Sequence, residues 1–134
     1  MNRIHCRPVG RLGFLALALT PMTVSVQATA AGGMVLTNAD SARSVVAEVG
    51  HDIEVRLTSY RENGVTYTWH LPTSSSPALP RVSGSLTPTG HTEAVFHTDD
   101  LGDSVITAER TCHPDPNRKC PATVRPWKAA IRVK

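Results

Sequence analysis

Ile53-Glu54-Val55-Arg56-Leu57 alternates apolar and charged residues without a break. Successive side chains of a strand leave opposite faces. This period of two therefore predicts a strand with Ile53, Val55 and Leu57 buried and Glu54 and Arg56 in water. The same period returns in Tyr67-Thr68-Trp69-His70-Leu71, with Tyr67, Trp69 and Leu71 inward. It closes the chain in Trp127-Lys128-Ala129-Ala130-Ile131-Arg132-Val133, with Trp127, Ala129, Ile131 and Val133 on one face. Weaker strand signals cover residues 44–49, 81–86, 92–98 and 103–110. Turn formers separate them: Gly50-His51-Asp52, Asn63-Gly64 inside the polar loop 58–66, residues 87–91 and residues 99–103. Residues 72–80 (PTSSSPALP) carry three prolines, which cannot donate to a ladder, and read as a surface crossover. About seven short strands broken by regular turns predict an all-β chain, an immunoglobulin-like β-sandwich with Trp69 buried on its third strand.

The chain before this pattern reads as a targeting segment. Arg3, Arg7 and Arg11 form a basic head, residues 12–19 (LGFLALAL) an apolar run, and Pro21 ends it. Ala28 and Ala30 supply the small residues a signal peptidase reads, and the run is too short to span a bilayer. A buried N-terminal helix is the competing reading. The expected organisation is a secretory signal peptide over residues 1–30, cleaved after Ala30 or, alternatively, Ala28, and one domain over residues 31–134. Location is then secreted, periplasmic or cell envelope, with no stable membrane insertion. The whole chain carries a net charge of +3. From residue 31 onward, eleven Lys and Arg face eleven Asp and Glu, a net charge of zero. Without a basic cluster, nucleic acid is not an expected partner.

Cys6 leaves with the signal, and Cys112 and Cys120 remain as an even pair in an oxidising compartment. They are expected to form a disulfide stapling the hairpin between the last two strands. Metal-binding thiolates are the rival, but His113 alone does not complete a zinc set. The histidines His51, His70, His91, His97 and His113 are scattered over separate elements. Asp99, Asp100 and Asp103 lack calcium-loop spacing and read as a solvated turn. Bridged cysteines offer no thiol nucleophile, and no Gly-x-Ser-x-Gly elbow is present. No catalytic constellation emerges, so the expectation is a non-enzyme without cofactor or metal, monomeric, working through its loops.

Gly50-x-x-Ile53-x-Val55-x-Leu57, the polar loop, Tyr67-x-Trp69, Gly90-x-Thr92-Glu93-x-x-Phe96, and Gly102 before a strand ending at Arg110 together resemble the chagasin family over residues 45–133. That resemblance implies an immunoglobulin-like inhibitor of papain-like cysteine proteases that inserts three loops from one end of the sandwich into the protease cleft. The first loop would be Asn63, Gly64, Val65, Thr66 and Tyr67, with counterparts of the family's Asn, Thr and Tyr but not of its Pro or of the Gly before Tyr. The second would run through Gly90, His91 and Thr92. The family's third loop carries Arg-Pro-Trp after the sixth strand. Here that strand ends at Arg110, followed by Thr111-Cys112, while Arg125-Pro126-Trp127 comes just before the closing strand. Two readings stand: Trp127 packs in the core and the disulfide loop takes the third position, or Arg125, Pro126 and Trp127 contact protease. A secreted adhesion or accessory domain of the envelope is the alternative function. A metal-handling role for His91, His97 and His113 is a third.

Overall fold

Alternation becomes burial on both sides of one core. The computed structural model describes residues 33–134, and the expected signal peptide over residues 1–30 lies outside the described residues. The strands are β1 (Met34–Leu36), β2 (Arg43–Ala47), β3 (Asp52–Leu57), β4 (Tyr60–Glu62), β5 (Val65–Trp69), β6 (Thr73–Ser74), β7 (Arg81–Leu86), β8 (Thr92–His97), β9 (Gly102–Ala108), β10 (Arg110–Pro114) and β11 (Trp127–Val133). One 3-10 turn, Asn38–Asp40, links β1 to β2, and no α-helix occurs among the described residues. The strands form three open sheets, ordered β1-β3-β8-β7, β10-β5-β4 and β2-β11-β9-β6. In β3, Ile53, Val55 and Leu57 are buried, and in β11 Trp127, Ala129, Ile131 and Val133 are buried, as the period of two requires. These faces meet Phe96 and Ala94 of β8, Ile106 and Ala108 of β9, and Trp69 of β5 in one apolar cluster. The result is a β-sandwich.

Three expectations need correction. The strand placed at residues 67–71 is Val65–Trp69, because the ladder starts directly after the Asn63-Gly64 turn. The stretch 58–66 is not a plain polar loop, since β4 lies within it and pairs with β5. The strand ending at Arg110 instead breaks at Glu109 and resumes as β10, which leaves β9's partner β11 and crosses to pair with β5 in another sheet, while β9 itself stays paired with β11. Eleven strand segments therefore replace the seven expected.

Candidate functional site

The 3-10 turn and the loops after β3, β7 and β10 lie at one end of the sandwich. The connection β3 to β5 is finished by a two-residue hairpin: Glu62 pairs with Val65, and Asn63 and Gly64 both have positive φ, 51° and 75°. Positive φ at both central residues is what a type I′ turn requires, and Asn-Gly meets it at low cost. This tip rests on the disulfide loop. The Asp115 amide donates to the Gly64 carbonyl at 3.0 Å, and both Arg61 amino groups donate to the Asp115 carboxylate. A Cβ on Gly64 would lie 2.9 Å from Cγ of Arg118, so the exposed arginine side chain packs directly over the glycine and would have to shift for any larger residue. The hydrogen bond from Arg61 holds the Asp115 carboxyl below its ordinary value. Cys112 and Cys120 are bridged, their Cα atoms 6.0 Å apart. The staple differs in place from expectation. β10 and β11 are not paired with each other, so the bridge ties Cys112 in β10 to Cys120 in the connection that follows rather than joining a hairpin.

The turn between β7 and β8 docks lower on the same side. Gly90 has φ +85°, its carbonyl accepts from the Trp69 amide at 2.9 Å, and a Cβ there would lie 2.4 Å from Thr68 Cβ. His91 Nδ1 accepts from the Ser59 amide at 3.0 Å. Thr68 and Gly64 are four residues apart along β5, which at strand rise separates the turn from the hairpin tip by about 13 Å. The end of the sandwich is stepped rather than flat.

Arg110 joins these parts. It continues the inward parity of Ser104, Ile106 and Ala108, a position at which a charge needs partners. It finds them in an aromatic cluster: its guanidinium lies 4.9 Å from the Tyr67 ring centroid, 5.8 Å from Trp69 and 5.9 Å from Tyr60. Tyr60 stacks on Tyr67 at 4.9 Å. Arg110 also donates to the Tyr60 hydroxyl and, through Nε, to the Arg125 carbonyl at 2.8 Å. Burial pushes the Tyr60 phenol above its ordinary pKa, with the Arg110 charge acting in the opposite direction. Beside this cluster opens a groove of about 980 Å³, bounded by the Asn38–Ala42 turn, by Tyr60, Trp69 and Arg110, and by Arg125, Pro126, Trp127 and Lys128. Asn38 fixes one wall by exchanging hydrogen bonds with the backbone of Thr58 at 2.7 and 2.8 Å.

The residues singled out from sequence thus divide. Asn63 and Arg125 are exposed, while Gly64, Gly90, His91, Arg110 and Pro126 are half-buried at this end. Val65, Tyr67, Thr92 and Trp127 are buried. Thr66 lies in mid-strand, paired with Arg61 on one side and His113 on the other, and its hydroxyl accepts from Arg61 at 2.9 Å. Trp127 is 2% exposed and its indole donates to the Thr37 carbonyl at 3.0 Å, which decides for the core reading of that residue. His91, His97 and His113 bond separately to Ser59, Asp52 and Thr68, and no metal-sized cluster exists among the described residues. Tyr60, Asp115 and Arg118 were not singled out. Tyr60 was nonetheless readable: a two-residue turn at Asn63-Gly64 places it opposite Tyr67.

No family model and no curated protein matches the sequence. Among solved structures, the chain is similar to the cysteine protease inhibitor EhICP2 from Entamoeba histolytica, with TM-score 0.54 and 13% identity over 76% of this chain and 95% of that one. It also aligns with amebosin, at TM-score 0.45 and 16% identity over 76% of this chain and 98% of that one. The chain shares the fold of the inhibitor EhICP2.

Proposed function

We propose that this protein is a secreted, chagasin-like, reversible inhibitor of papain-like cysteine proteases, acting through the stepped loop end of an immunoglobulin-like sandwich. The sheet order β1-β3-β8-β7 supports this reading, since it has the succession of an A-B-E-D sheet, although β1 joins β3 in parallel rather than antiparallel. The observation that carries the reading is the hairpin tip Asn63-Gly64 locked against the disulfide loop, on a fold shared with a cysteine protease inhibitor. A protease cleft binds extended backbone. A narrow, pre-ordered tip can enter it without losing much conformational freedom, and the ordering cost of binding falls accordingly. Val65, Thr66 and Tyr67 then support the tip from within the sheet, while Gly90, His91 and Arg125 lie lower, toward the base of the hairpin. The disulfide fits an oxidising compartment, in keeping with export directed by residues 1–30.

Titration of papain with the purified protein tests this. Reversible inhibition at submicromolar concentration is expected. Asn63→Gly, which keeps the turn and removes the side chain at the tip, should weaken it about tenfold, or 1.4 kcal/mol. Failure to inhibit any papain-like enzyme at micromolar concentration would leave the accessory-domain reading, for which the exposed edge strand β7, with Val82 59% and Leu86 54% exposed, offers a surface.

A further inference from the structure

The groove beside Arg110 has a chemistry of its own. Its volume of about 980 Å³ is at the upper end for ligand sites, enough for several residues of chain and far more than a single ion fills. Half-buried Tyr60 gives it an aromatic floor, backed from beneath by the buried rings of Trp69 and Trp127, and Arg110, Arg125 and Lys128 are the charged groups lining it, with no carboxylate among the lining residues. Arg125 and Lys128 have exposed side chains and enter no salt bridge among the described residues. Two acids adjoin lining residues in sequence: Glu109, exposed beside Arg110, and Asp40, which is already engaged, its carboxylate accepting from the Thr37 amide at 2.8 Å and from Arg43 at 2.6 Å.

We infer that this groove binds an acidic peptide segment of a protein partner, an apolar side chain on the aromatic floor and neighbouring carboxylates on Arg125 and Lys128. Charge complementarity selects an acidic occupant, and the apolar floor selects one with side chains to bury. Nucleic acid is disfavoured because residues 31–134 carry zero net charge, with no extended basic surface to track a phosphate backbone. The groove adjoins the loop end, so a partner held there reaches it without a second docking event. The inference does not require that partner to be a protease.

The chain has two tryptophans, and both line the groove, each with its indole N–H fixed to a backbone carbonyl. Their two indole resonances in a nitrogen–proton correlation spectrum therefore report on this site. Titration with acetyl-Leu-Glu-Leu-Glu-Leu-amide should shift both saturably. The Gln analogue should bind at least tenfold more weakly, and so should added salt at about 1 M, where screening is near-complete beyond a few ångström. The double variant Arg125→Glu/Lys128→Glu should lose the acidic peptide while keeping its melting temperature, since both side chains are exposed and only their backbone carbonyls hold structure. No indole shift at millimolar peptide would overturn the inference. Equal binding of the Gln analogue, or equal response to inorganic phosphate or a thymidine oligonucleotide, would overturn it as well.

Discussion

Gly90→Ala tests whether the turn between β7 and β8 is seated on β5 as described. Two costs add at this position. The backbone sits at φ +85°, where an L side chain is strained by about 1–2 kcal/mol. The new Cβ would also lie 2.4 Å from both Cβ and Cγ2 of Thr68 and 3.1 Å from its Cα. Those atoms cannot swing aside, because Thr68 is β-branched, lies in the central strand of its sheet, and is bonded through its hydroxyl to His113 at 2.9 Å. Overpacking of this kind costs about 1–3 kcal/mol, for a total of about 2–5 kcal/mol. Gly50→Ala supplies the control: φ is +87°, but nothing lies within 4 Å of the added Cβ, so only the strain of about 1–2 kcal/mol remains. In thermal melts the first variant should lose about 10–20 °C and the second about 5–10 °C. Equal losses would refute the docking of this turn, and with it the stepped geometry of the loop end.

Trp127→Ala should cost about 3–5 kcal/mol in urea melts, typical for truncating a buried aromatic, and a loss under 1 kcal/mol would return Trp127 to the surface. Cys112→Ser/Cys120→Ser should cost about 2.5 kcal/mol by the chain-entropy argument for so short a ring, and the unaltered protein should run two hydrogens lighter than the dithiol by mass spectrometry. The pH dependence follows from Asp115. Its folded carboxyl titrates below the ordinary value of 3.8, so its stabilisation is present above that value and is lost as pH falls through the lowered folded one. The melting-temperature gap between the unaltered protein and Asp115→Asn should therefore be present at neutral pH and close below pH 3.8; an unchanged gap near pH 2 would contradict the Arg61–Asp115 clamp.

The sandwich was legible because its inner strands carry one buried face each, and β3, β8 and β11 alternate without exception. β4 was not, since Tyr60-Arg61-Glu62 has no apolar alternation and is made a strand by its hydrogen-bonded partner β5 rather than by its own composition. β1 and the turn after it fell outside the pattern too. A three-residue strand is too short to show a period, and β1 is defined by parallel pairing with β3. The candidate site was half legible for the same reason. Glycines that mark close approach, Gly64 and Gly90, announce themselves, but what they approach, Arg118 and Thr68, depends on contacts distant in sequence or in the sheet. Arg110 was readable as a charge at the end of an alternating strand. Its aromatic surroundings come from two other strands and were not.

Arg110 also explains how a short chain can order so many connections at one end. Its Nε holds the backbone at Arg125, its amino group holds Tyr60, and its flat face lies against Tyr67, so one side chain ties the base of the hairpin to the segment entering β11. Arginine suits this because its guanidinium stays charged, donates in fixed directions and stacks on rings; lysine at this position offers a point charge without the planar contact. The same side chain forms a wall of the groove. Farther out, the disulfide and the Arg61–Asp115 pair fix the tip in turn. The clamp at the base is half-buried and works through rings, a phenol and a backbone carbonyl rather than an ion pair, so salt touches it less, whereas the ion pair at the tip is exposed and screened. Raising ionic strength therefore loosens the tip before the base, so a partner that engages the tip is weakened by salt through loop order as well as through direct charge contacts.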